Sequence, residues 1–137
     1  MADSYCIYCV DDDQFILQML GFQIRKQFKD DNVIVELIDD PSAVLNFLEN
    51  CTEKGITPVL GIIDFQMPKM NGAQLIRTIN DRFPRHKFIM VSGDSSAIQV
   101  SDLVEDNLLD FYISKPWEES DLTDKINNCL PIQIQTG

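Results

Sequence analysis

Five short apolar runs recur along the chain: Tyr5–Val10, Val33–Ile38, Pro58–Ile63, Lys87–Val91 and Phe111–Ser114. Most are nearly continuous in apolar residues, as strands covered on both faces must be; a strand with one wet face alternates instead. The longer segments between them carry helical stripes. Ile16, Leu20, Ile24 and Phe28 line one face of the first such segment, and Val44, Leu45 and Leu48 serve the second. Five strand–helix repeats with short connections predict an α/β fold, a single doubly wound five-stranded parallel sheet with five helices.

Punctuation agrees with this frame. Asp40-Pro41 reads as a helix cap followed by proline at the first helical position, and Gly55 closes that region. Asn71-Gly72 leads into the third helix and Pro84 ends it. Asp94 or Ser95 is the expected cap of the fourth helix, and Pro116 is expected to start the fifth. There are no internal repeats or low-complexity tracts. Residues 1–130 read as one domain, with 131–137, PIQIQTG, as a C-terminal tail or linker stub.

Charge and cysteine usage narrow the class. Of 137 residues 22 are acidic and 11 basic, a formal charge of −11. That balance argues against non-specific nucleic-acid binding, which needs lysine and arginine against phosphate, and fits a cation binder or a basic partner. No basic start with a long apolar stretch is apparent and no run reaches membrane-spanning length, so a cytoplasmic location without membrane contact is expected. Cys6, Cys9, Cys51 and Cys129 lack the density of a disulfide scaffold. Cys6 and Cys9 form C-x-x-C inside a strand, where residues three apart face opposite ways. They therefore read as two buried strand cysteines rather than a redox or zinc pair.

In open α/β sheets ligands sit beyond the carboxyl ends of the strands. The first strand ends in Asp11-Asp12-Asp13, the third in Asp64, the fourth in Ser92-Gly93 and the fifth in Lys115-Pro116. The second ends in Asp39-Asp40, which the helix cap explains. Three adjacent carboxylates raise one another's pKa unless a cation sits among them. A hard cation such as Mg2+ takes one or two carboxylates plus phosphate oxygens. An aspartate can attack phosphorus to form an acyl phosphate, and a lysine and a hydroxyl neutralise the charge of the transferred group. The set suits phosphoryl transfer to a carboxylate, with a metal cradle beside a nucleophilic aspartate.

From Tyr5 to Leu130 the chain closely resembles the receiver domain of two-component response regulators. V-D-D-D at 10–13, D-F-Q-M-P-K-M-N-G at 64–72, V-S-G at 91–93 and Y-I-S-K-P at 112–116 carry the likeness. The resemblance implies the flavodoxin-like strand order 2-1-3-4-5. It makes Asp64 the phosphoacceptor, charged by a histidine on a sensor kinase or a histidine phosphotransfer protein. It assigns Mg2+ to Asp11, Asp12, Asp64 and the Gln66 backbone carbonyl. Ser92 and Lys115 become the phosphoryl contacts, Ser92 and Tyr112 the switch pair, and Pro116 the residue that fixes the Lys115 loop. It further implies that phosphorylation changes the face formed by the fourth helix, fifth strand and fifth helix, read by a downstream effector domain or protein. In such a module catalysis is confined to its own phosphorylation and dephosphorylation.

Other residues are read more plainly. Asp13 caps the first helix. Trp117 is a partner anchor or packs at the start of the last helix. His86 reads as an exposed loop residue, and Arg25, Lys26 and Lys29 as a solvated helix end or part of a kinase docking surface. Gln66 and Asp94 flank the acceptor and are expected to govern water access to it. The segment 101–110 lacks the small Gly-Ala pair common before the fifth strand, which leaves the length of the fourth helix open. That region holds no lysine or arginine, so a dimer made by crossed salt bridges there is not expected. Alternatives are a Mg2+-dependent phosphatase of the haloacid dehalogenase type, a flavodoxin-like cofactor binder, and a degenerate receiver serving as a scaffold. The first expects D-x-D at the first strand, and the second a phosphate-binding loop after it. The third is opposed by the full set of site residue types. The chain reads equally as a stand-alone receiver or as the first domain of a longer regulator.

Overall fold

The structure, a computed structural model, describes residues 4–28, 32–93, 98–131 and 134. In chain order the elements are β1 (Ser4–Val10), α1 (Gln14–Gln27), β2 (Val33–Ile38), a 3-10 turn at Pro41–Ala43, α2 (Val44–Lys54), β3 (Ile56–Ile63), α3 (Gly72–Arg82), β4 (Lys87–Ser92), α4 (Ile98–Glu105), β5 (Phe111–Ser114) and α5 (Glu119–Cys129). The strands pair in parallel in the order β2-β1-β3-β4-β5, the order the family resemblance implied.

Side-chain alternation along the strands divides the core into two layers. Cys6, Tyr8 and Val10 of β1 face one way and join Leu48 of α2, Ile76 of α3 and Leu103 of α4. Ile7 and Cys9 face the other way and join Leu20 and Ile24 of α1 and Ile126 of α5. The central strands thus bury both faces, which is why their sequence is apolar throughout. Each fully buried Leu or Ile there contributes about 1.5–3 kcal/mol. The β1–β3 register slips between Cys6 and Ile7, beside Pro58, which has no N–H to donate to a ladder.

The caps satisfy the open amides and carbonyls at the helix ends. The Asp13 carboxylate accepts from the Phe15 and Ile16 amides and starts α1. Asp40 accepts from the Ser42 amide ahead of Pro41, and Gly55 takes the left-handed conformation, φ 71°, that ends α2. Asn71 and Gln74 form a reciprocal capping box at α3. Asp39 differs from its expected part in the cap: its carboxylate accepts from the Gln14 side chain, 2.7 Å away.

Two further expectations are corrected. Pro116 does not start α5; it follows a cis peptide bond, and the helix begins at Glu119 after Glu118, because the chain must first turn off β5. His86 is not an exposed loop residue. Its Nε2 lies 2.6 Å from the Tyr8 hydroxyl and its ring packs on Phe88. Asp94, Ser95 and Lys29 lie outside the described residues. Leu130 and Ile134, at and beyond the end of the expected domain, pack into the α1/α5 layer.

Candidate functional site

At the carboxyl end of the sheet the backbone fixes two carboxylates before any side chain chooses a rotamer. The Asp11 amide donates to the Ile38 carbonyl at 3.2 Å, and the Asp64 amide donates to the Val10 carbonyl at 2.9 Å. Both residues therefore continue the ladder one step past their strands. Asp11 is 1% exposed and Asp64 6%, whereas Asp12 is exposed. Carboxylate oxygens of the three residues lie within 4.8 Å of one another. This set of hard oxygen donors with excess negative charge is the chemistry a divalent cation takes.

Lys115 answers part of that charge. Its Nζ donates to Asp11 Oδ2 at 2.8 Å and stands 3.3 Å from Asp64 Oδ1. Burial raises the Asp64 pKa, Asp11 raises it further, and Lys115 opposes both without cancelling them. For Lys115 burial works downward, but the Asp11 hydrogen bond and the charges of Asp11 and Asp64 outweigh it, so its pKa is raised. Lys115 therefore stays cationic.

A glycine sets the loop after Asp64. A Cβ on Gly72 would stand 2.3 Å from the Asp64 carbonyl oxygen, and the Gly72 amide donates to Phe65 O at 2.8 Å. Only a residue without a side chain lets α3 begin this close to Asp64. Lys69 in the same loop has φ 72° and stands 3.7 Å from Asp40 in an exposed pair, which is worth little. The N-G pair was legible as a helix start; its contact with Asp64 was not.

The remaining expected site residues gather at the ends of β4 and β5. Ser92 is 1% exposed. Its carbonyl accepts from the Lys115 amide at 3.0 Å and from the Tyr112 hydroxyl at 3.2 Å. Gln66 is exposed, two residues beyond Asp64, and Pro116 follows Lys115 through the cis bond. Trp117 packs against the α1/α5 layer and donates through Nε1 to Gln23 Oε1 at 2.8 Å, the packing role of the two expected for it. Arg25 donates to Val35 O and Lys26 pairs with Glu119, so both ends are engaged within the molecule.

The chain matches the response regulator receiver domain family over residues 7–127. It is 26% identical to the response regulator protein TmoT of Ectopseudomonas mendocina, over 94% of this chain and 54% of that protein. The same identity holds for TodT of Pseudomonas putida, covering 94% and 52%. The chain thus spans about half the length of the curated relatives it matches. Among solved structures, a CheY-like receiver domain protein from Methanospirillum hungatei superposes with a TM-score of 0.76 at 28% identity, covering 92% of this chain and 93% of that one. A receiver domain from Clostridium thermocellum gives 0.73 at 26%, covering 91% and 93%. The chain belongs to the receiver domain family of response regulators, whose place is phosphoacceptance in two-component signalling. The haloacid dehalogenase alternative finds no support in these matches. Among the described residues no helix is long and apolar enough to cross a membrane.

Proposed function

We propose that Asp64 accepts a phosphoryl group from a phosphohistidine on a sensor kinase or a histidine phosphotransfer protein. The observation that carries this reading is the Lys115 ammonium placed between two buried carboxylates, 2.8 Å from Asp11 and 3.3 Å from Asp64. A carboxylate oxygen of Asp64 attacks phosphorus; the O–P bond forms as the P–N bond breaks, and the imidazole leaves with the electron pair and takes up a proton. Lys115 meets the growing charge on the phosphoryl oxygens. Mg2+, held by Asp11, Asp12, Asp64 and the Gln66 carbonyl, would supply further positive charge there.

The Ser92 hydroxyl turns to the bound phosphoryl group. Tyr112, tied to the same residue through its carbonyl, passes the change to the α4-β5-α5 face and a downstream effector domain or protein. Pro116 fixes the Lys115 loop. We place this cytoplasmic chemistry in a receiver unit of residues 1–130. Its only catalysis is of its own phosphorylation and dephosphorylation.

The α1 surface supports a helical donor. Phe15 is 80% exposed, Met19 47% and Phe22 66%. They are spaced i, i+4, i+7 on a helix whose first residue follows the Asp13 cap, so this apolar stripe flanks the acidic site. The test is intact mass after incubation with acetyl phosphate and Mg2+, then with a phosphorylated histidine protein. A gain of about one phosphoryl group that is lost in Asp64→Asn and with chelator is expected. Folded protein that gains nothing from either donor sinks the proposal and leaves a scaffold.

A further inference from the structure

A cavity of about 260 Å³ opens between α2 and the edge strand β2, away from the carboxylates. Its lining includes Cys6, Ile34, Glu36, Phe47, Cys51 and Lys54. Two thiols from elements distant in sequence meet there. Cys6 is 0% exposed and Cys51 3%, and their side chains are within hydrogen-bonding reach of one another. The phosphoryl chemistry uses neither.

Buried cysteines commonly serve as small core side chains, and Cys9 and Cys129 fit that description. Both are free and buried, neither lines this cavity, and burial pushes each thiol up to about 12. Cys6 and Cys51 differ in having each other and an opening. Their surroundings also differ. Burial raises both thiols and the Glu36 charge raises both further; the contact between them raises Cys6 but lowers Cys51, and the Lys54 charge lowers Cys51 a little more. Cys51, the less enclosed of the two at 3% against 0% and lowered by both Cys6 and Lys54, is the one suited to react first.

We propose that Cys6 and Cys51 form a thiol–disulfide exchange site that takes a small disulfide through this cavity and closes into a disulfide tying β1 to α2. The Cys51 thiolate attacks one sulfur of the small disulfide. That S–S bond breaks, and the leaving thiolate carries off the electron pair and takes up the proton Cys51 gave up. The Cys6 thiol then loses its proton and attacks the Cys51 sulfur, expelling the second small thiol. In sum the two protein thiols are oxidised by two electrons and the small disulfide is reduced to two thiols.

The experiment exposes the folded chain to excess oxidised glutathione at pH 8, quenches with acid, and maps free thiols by alkylation in denaturant and peptide mass. A Cys6–Cys51 cross-linked peptide is expected, with Cys9 and Cys129 still alkylated. In Cys6→Ala the reaction stops at a glutathione adduct on Cys51. In Cys51→Ala, Cys6 reacts at least about tenfold more slowly than Cys51 does in the unaltered chain. The unaltered chain is decisive even where a variant folds poorly. Four thiols that stay free under conditions that oxidise the denatured chain overturn the proposal. So do four that react at one common rate, and a Cys51 adduct that never closes onto Cys6.

Discussion

Tyr8 and His86 are joined by a hydrogen bond of 2.6 Å at the amino end of β4, and the rest of the site dictates its direction. His86 Nδ1 lies 3.0 Å from the Pro84 carbonyl, which can only accept, so Nδ1 holds the proton and Nε2 accepts from the tyrosine hydroxyl. The neutral ring satisfies every partner; a protonated one would leave the buried Tyr8 hydroxyl without its acceptor. Gly61 makes the arrangement possible, since a Cβ there would stand 2.8 Å from the tyrosine ring.

Acid should therefore loosen the fold through His86. Burial lowers its pKa below the ordinary 6.5, against a smaller upward pull from Pro84. The unfolded chain then binds the proton more readily than the folded one. This contribution to stability is whole above about pH 7 and falls as pH drops through 6.5 toward the folded value. Thermal melts between pH 8 and pH 5.5 should show a declining midpoint, and His86→Gln should remove that part of the slope. A slope unchanged in the variant would assign it to other groups.

Asp64→Asn should stabilise the resting fold while abolishing phosphorylation. The Asp64 pKa is raised by burial and by Asp11, so its ionised form is strained in the folded state. With a folded pKa above the unfolded one, that cost appears as pH rises through the folded value and is in force at neutrality. A rise in melting temperature of about 3 °C at pH 7.5 is expected, shrinking as the pH is lowered toward 4. A lower midpoint would mean that Lys115 depends on Asp64 more than Asp64 suffers from Asp11.

Gly72→Ala should cost about 2–3 kcal/mol of stability, because the added methyl meets the Asp64 carbonyl backbone rather than a yielding side chain. Denaturant unfolding gives the stability. Phosphorylation by acetyl phosphate should slow as well, since relief of the clash moves Asp64. Full stability would show that the α3 start can retreat.

Lys115→Ala should separate metal binding from phosphorylation. The ammonium occupies Asp11 and Asp64, so it competes with a divalent cation for the same oxygens. Its removal should tighten Mg2+ binding about three- to tenfold, read by calorimetry, while the phosphorylated fraction falls at least about tenfold. Weaker Mg2+ binding would mean that Lys115 organises the carboxylates rather than opposing the cation.

Much of this molecule was legible because strands buried on both faces write themselves as apolar runs, and a sheet of such strands gathers whatever stands at their ends. Asp11, Asp64, Ser92 and Lys115 were singled out that way, at the ends of apolar runs, and Asp11, Asp64 and Lys115 do come together. What escaped depended on partners distant in sequence. Nothing around His86 marks it as half-buried and engaged, because its acceptor role is created by Tyr8, 78 residues earlier. Pro116 was misread for a local reason. A proline after a strand suits both a helix start and a turn, and here the turn comes first, with α5 waiting until Glu119. Cys6 and Cys51 each resemble an ordinary core residue until α2 is laid on the sheet.

The Ser92 carbonyl accepts from both the Lys115 amide and the Tyr112 hydroxyl, which makes one oxygen a shared anchor for a residue within β5 and the residue just past it. That strand spans four residues and, among the described residues, pairs with β4 at the edge of the sheet. A side-chain acceptor could rotate and release one donor while keeping the other. A peptide carbonyl moves only with its backbone, so a shift of Ser92 would act on Lys115 and Tyr112 together. Under the proposed switch, a change at the acidic site would reach β5 through this one oxygen.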